Sequence, residues 1–67
     1  MSEKRLQISL KAARVNAELT QEEVENRMGI SRRTLIRWEN GETQPKGQAF
    51  IDLCSLYGVM PEDIRKK

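Results

Sequence analysis

Arg32, Arg33 and Arg37 stand close together in a chain of 67 residues, and arginine is a side chain that can read as well as attract. Its planar fork of N–H donors matches the O6 and N7 acceptors of guanine, and it pairs equally well with phosphate oxygens. On a helix, Arg33 and Arg37 share a face, and Arg32 and Ile36 lie beside them. Ile36 is the apolar member of this charged face, suited either to a thymine methyl or to lateral packing at a helix corner. Asn40, Thr43, Gln44 and Lys46 follow, all of types that donate to a sugar–phosphate backbone. The plain alternative for such a run is a solvated charged surface. What separates the two is whether the surrounding chain holds these residues on one exposed helix.

The flanking residues supply that helix and a second one before it. Thr20 and Glu23 form a T-x-x-E capping box, after which Val24 and Met28 point inward. Gly29 permits a left-handed turn, and Ser31 is a natural N-cap for a helix over about 32–40. Leu35 and Trp38 are its inward residues, and Asn40-Gly41 ends it. Upstream, Leu6, Leu10, Ala13 and Ala17 line one face of a helix over roughly 6–17. Ile8, Ala12 and Val15 make a thinner apolar strip nearly opposite. The segment from Glu42 to Lys46 reads as a loop. Helix four, over about 47–57, is apolar on a wide arc (Ala49, Phe50, Leu53, Cys54, Leu56, Tyr57) and belongs at the centre of a small domain. Met60-Pro61-Glu62-Asp63 opens a last short helix anchored by Ile64. The expectation is an all-α bundle of five short helices in one domain over residues 1–67.

Composition narrows the chemistry further. The chain has no histidine and one cysteine, so ordinary zinc ligation, an internal disulfide and a thiolate–imidazole nucleophile are all out of reach. Cys54 reads as a buried small hydrophobe. No phosphate-binding glycine loop is present, and no enzyme, metal or cofactor is expected. Net charge is only +2, but it is unevenly placed. From Ser31 to Lys46 there are four basic residues and two acidic ones, whereas Gly47 to Ile64 holds three acidic residues and no basic one. One surface therefore attracts phosphate and another repels it. Nothing resembles a signal peptide or a membrane span, so a cytoplasmic protein is expected.

The stretch Gln21 to Asn40 resembles the helix-turn-helix of the Xre/Cro family, the lambda-repressor-like fold. The resemblance is carried by Val24, Met28, Gly29, Ile30, Leu35 and Trp38. It extends through Leu19-Thr20-Gln21-Glu22-Glu23, Trp38-Glu39-Asn40-Gly41, Pro45 and Leu56-Tyr57-Gly58-Val59. It implies a recognition helix over about 32–40 that enters the major groove. Base contacts would fall to Arg33, then Arg37, then Arg32, with Ile36 beside them, and phosphate contacts to Gln21, Asn40, Thr43, Gln44 and Lys46. It also implies an ion pair between Arg14 and Glu39 that orients helix one against helix three. One position departs from the pattern. The family usually carries a small residue after Val24; here it is Glu25, which must reach outward or pair, with Arg33 or Arg27 as its expected partners.

A single small motif reads too few base pairs to select one site, so a homodimer on a near-palindromic operator is expected. Ile51, Val59, Met60 and Ile64 are its interface candidates. The function implied is a sequence-specific transcriptional regulator, a repressor by family habit, with no small-molecule ligand. Met1 and the basic end lead to the expectation that these residues are the whole chain, with no sensing domain. The competing expectation is a protein-binding module, such as an antitoxin or anti-repressor, that uses the Ile8–Val15 strip.

Overall fold

The computed structural model describes residues 7–65. Leu6, expected on the inner face of helix one, and the basic Lys66-Lys67 end lie outside the described residues. Four α-helices follow in order: α1 (Leu10–Asn16), α2 (Gln21–Met28), α3 (Arg32–Asn40) and α4 (Gln48–Tyr57), and a 3₁₀ turn spans Pro61–Asp63. The all-helical class holds, but the fifth helix is only this turn. Its extension is blocked by its own surroundings. Ile64 leaves the turn in an extended conformation, and the Asp63 carbonyl accepts from Ile8 N–H at 2.9 Å.

The same contact shortens α1. Ile8 and Ile64 form an isolated parallel bridge, completed by Arg65 N–H donating to the Ile8 carbonyl at 2.8 Å. Ser9 then caps α1 by accepting from Ala12 N–H at 3.0 Å. The helix therefore starts at Leu10, later than the apolar spacing predicts, because Ile8 is committed to the other end of the chain. This also dismantles the expected apolar strip. Ile8 leaves the helix and packs against the core, Ala12 is half-buried, and Val15 stays exposed.

The remaining ends follow local chemistry. Thr20 and Glu23 make the full capping box, with Thr20 N–H to Glu23 Oε1 at 2.8 Å and Glu23 N–H to Thr20 Oγ1 at 3.1 Å. The Thr20 backbone bond, then its hydroxyl, hold the Glu23 carboxyl below its usual range. Gly29 closes α2 at φ 69°, a conformation that a side chain resists. At the end of α1 the same left-handed position is occupied by Glu18 at φ 60°. There Leu19 N–H reaches back to the Arg14 carbonyl and Glu18 N–H to that of Val15, the two bonds of a Schellman ending.

Every α-helix sends a residue to the core: Ala13 from α1, Val24 from α2, Leu35 from α3, and Leu53, Cys54 and Tyr57 from α4, closed by Ile64. Met28, Ile30, Trp38, Phe50 and Val59 pack around it, half-buried. Burial raises the Cys54 thiol above its ordinary value, and the Asp63 carboxylate adds to this, which agrees with a packing role for the sulfur. Ile64 is only 3% exposed, so its place among the interface candidates is corrected: its side chain is spent within its own fold. Ile51 and Met60 are exposed, and Val59 is half-buried.

Candidate nucleic-acid interface

Helix α3 has two unlike sides. Leu35 is fully buried, Trp38 is half-buried and the Glu39 side chain is turned inward, so the helix is anchored along one line. Arg33, Ile36, Arg37 and Asn40 are exposed along the other. Ile36 is absent from the residues packed on the core, so an open apolar contact stands on this face. Ser31 caps the helix, its hydroxyl accepting from Thr34 N–H at 3.2 Å.

The helix start is also favourable for an anion. The partial positive charge of a helix N-terminus attracts phosphate, and a carboxylate in the first turn would cancel that attraction. The first turn of α3 has no acidic residue, whereas that of α2 carries Glu22 and Glu23. Within its own first turn α3 is the cleaner of the two, although the Glu25 carboxylate of α2 reaches the Arg32 side chain across the turn.

Its orientation is set from α1. Arg14 donates Nε to Glu39 Oε2 at 2.7 Å and Nη1 to the Leu19 carbonyl at 2.9 Å. The two side chains are 10% and 4% exposed, so this is a buried pair with its polar atoms satisfied from several directions. Gln21 completes it, donating Nε2 to Glu39 Oε1 at 3.2 Å. The group expected at a phosphate thus has one role inside the protein, tying the start of α2 to the end of α3. A primary amide carries two donor hydrogens, so a second remains.

Tyr57 closes this region from α4. Its hydroxyl is buried without a hydrogen-bond partner among the described residues. Desolvation raises its pKa to about 12, the Glu39 carboxylate adds to the rise, and Arg14 opposes it.

The three arginines are not equivalent. Arg32 donates Nε to Glu25 Oε2 across the turn, which corrects the expectation that Glu25 pairs with Arg33 or Arg27. That hydrogen bond, then the Glu25 charge, with Glu22 adding a smaller part, raise the Arg32 pKa. Arg37 approaches Glu42 at 3.9 Å, but both side chains are more than half exposed and the pair is loose. Arg33 has no ion-pair partner among the described residues. Beyond the helix, Asn40, Thr43, Gln44 and Lys46 are all exposed. Asn40, Gln44 and Lys46 line a groove of about 480 Å³ with Trp38, Pro45 and Phe50. From sequence, Glu25 is expected to reach outward or pair, and its departure from a small residue is the signal, but the partner Arg32 is set by the fold; nothing in the sequence signals the bond from Gln21 to Glu39.

Two helices about a left-handed glycine turn, the second anchored on one side and basic on the other, define a helix-turn-helix protein. The chain belongs to the helix-turn-helix family, whose family model matches residues 10–64, in agreement with the Xre/Cro resemblance of its sequence. It is similar to a protein of Methanocaldococcus jannaschii named an uncharacterized HTH-type transcriptional regulator, at 36% identity over 55 residues, 82% of this chain and 83% of that protein. It is also similar to the cryptic phage CTXphi transcriptional repressor RstR of Vibrio cholerae, at 39% identity over 46 residues, 69% of this chain. This chain covers 41% of that repressor's length. No solved structure gives a significant match.

Proposed function

We propose that this protein is a sequence-specific regulator of transcription, a repressor, that binds double-stranded DNA with α3 in the major groove. The observation that carries the reading is the two-sided α3. Its core side is fixed by Leu35 and by Glu39 on Arg14, while Arg33, Ile36, Arg37 and Asn40 stay exposed. Ordered anchoring is what a base-reading helix requires, because a fork of donors discriminates between bases only when its origin is fixed. The names of the similar proteins, a transcriptional regulator and a phage repressor, agree with it.

Within this reading, Arg33 and Arg37 contact bases, and Ile36 meets a thymine methyl. Asn40, Thr43, Gln44 and Lys46 follow the phosphates beyond α3, and Gln21 offers its second amide hydrogen at the start of α2. The protein acts as a homodimer on DNA, joined through Ile51, Val59 and Met60, with half-sites about one helical turn apart. This apolar surface is small, so association is weak without DNA.

Selecting bound sequences from a random duplex pool tests the reading. The expected product is a near-palindromic site, with affinity falling ~10³–10⁵-fold between 50 and 200 mM salt if ~6–10 phosphates are contacted. No enrichment, or a flat salt dependence, would overturn it.

A further inference from the structure

We infer that Glu25 is a specificity-determining positioning residue: by holding Arg32 through Nε it turns that arginine from a phosphate clamp into a reader of base edges. The inference rests on the DNA-binding reading above and assigns a division of labour within it.

Three features of the contact point this way. First, the pair is asymmetric. The Glu25 side chain is 22% exposed and that of Arg32 is 53% exposed, so the arginine is the partner more open to an approaching ligand. Second, only Nε is engaged. The two terminal amino groups of Arg32 have no hydrogen-bond partner among the described residues, and these form the end-on fork that matches guanine O6 and N7. Third, the neighbourhood of Arg32 is acidic, since Glu22 acts on it from the same helix as Glu25.

The physical consequence follows from the charge of the ligand atom. A phosphate approaching Arg32 also meets the Glu25 and Glu22 carboxylates, so much of its attraction is cancelled. A guanine edge is a neutral acceptor pair, and it gains the oriented N–H bonds with far less repulsion. Arg33, with no such partner among the described residues, keeps its full pull on phosphates as well as bases. Glu25 therefore lowers binding to arbitrary DNA more than binding to the chosen site. The residue that departs from the small-side-chain pattern has a use at that position.

The test compares the wild type with Glu25→Gln, Arg32→Lys and the double variant, on the selected site and on random duplex, after thermal melting shows each to be folded. Glu25→Gln keeps the shape and removes the charge. It is expected to tighten random-duplex binding, steepen the slope of log K against log salt by ~0.9 per protomer, and reduce the specific-to-random ratio about fivefold or more. Arg32→Lys keeps the charge without the fork, so random binding should hold while discrimination at one base pair disappears; this arm stands alone if Glu25→Gln does not fold. In the double variant the fork is already gone, so Glu25→Gln should lower the ratio no further. If Glu25→Gln lowers both affinities equally, or leaves slope and ratio unchanged, Glu25 is structural only and the inference is overturned. A wild type that selects no sequence overturns the underlying reading instead.

Discussion

Arg14 and Glu39, 25 residues apart in the chain, meet at 2.7 Å and tie α1 to the end of α3. The guanidinium also holds the Leu19 carbonyl, and the carboxylate also accepts from Gln21, so α1, the α1–α2 turn, α2 and α3 converge on one buried pair. A charge pair here contributes orientation above all, because the loss of water by both groups offsets much of their attraction.

Removing one member should therefore hurt more than removing both. Arg14→Met leaves Glu39 buried and unpaired, and urea unfolding should show a loss of about 3 kcal/mol. The double variant Arg14→Met with Glu39→Leu should recover much of that stability. Its DNA affinity should stay low, since α3 is no longer oriented.

Arg33 and Lys46 separate reading from attraction. Arg33→Ala should weaken binding to the selected site by ~1–3 kcal/mol and relax preference at one base pair. Lys46→Ala should weaken all duplexes alike and reduce the salt slope by ~0.9 for each phosphate that the lysine no longer neutralises. Titrations on the selected and a scrambled duplex at several salt concentrations distinguish the two.

Tyr57 links stability to alkaline pH. Its folded pKa of about 12 lies above the ordinary value of 10, so the folded state holds this proton more tightly than the unfolded chain. The stabilisation is complete below pH 10 and is lost progressively as pH rises from there through about 12. Tyr57→Phe removes both the titration and an unpartnered buried hydroxyl, and should be neutral or stabilising by up to about 1 kcal/mol at pH 7. Unfolding midpoints measured from pH 7 to 11 should fall for the wild type and stay flatter for the variant.

Glu18 is an exposed residue in the left-handed conformation at φ 60°. That backbone costs a residue with a side chain about 1–2 kcal/mol. Glu18→Gly should relieve the strain, partly offset by the greater freedom of glycine in the unfolded chain, for a net gain of roughly 0.5–1 kcal/mol in denaturant unfolding. DNA affinity should be unchanged.

The features legible in the sequence are those decided within about one helical turn. The Thr20–Glu23 box, the Ser31 cap and the turn at Gly29 follow from side chains meeting backbone groups a few residues away. The exposed face of Arg33, Ile36 and Arg37 follows from helical spacing once Leu35 is placed inside. Even the long-range Arg14–Glu39 pair was accessible, through family resemblance. The rest was decided between distant segments. Ile8 appears helical by its spacing, yet Ile64 and Arg65 take its backbone, which sets the start of α1 and prevents a fifth α-helix. Glu25 had several arginines within plausible reach, and the crossing of α2 and α3 selected Arg32. The family pattern puts Gln21 at a phosphate, and the fold gives one of its donors to Glu39. The central turns of the four α-helices and the basic face of α3 were readable from sequence, because caps and periodicity are local. Which of the three arginines has no ion-pair partner among the described residues was settled by the fold, because such partners depend on how two helices cross.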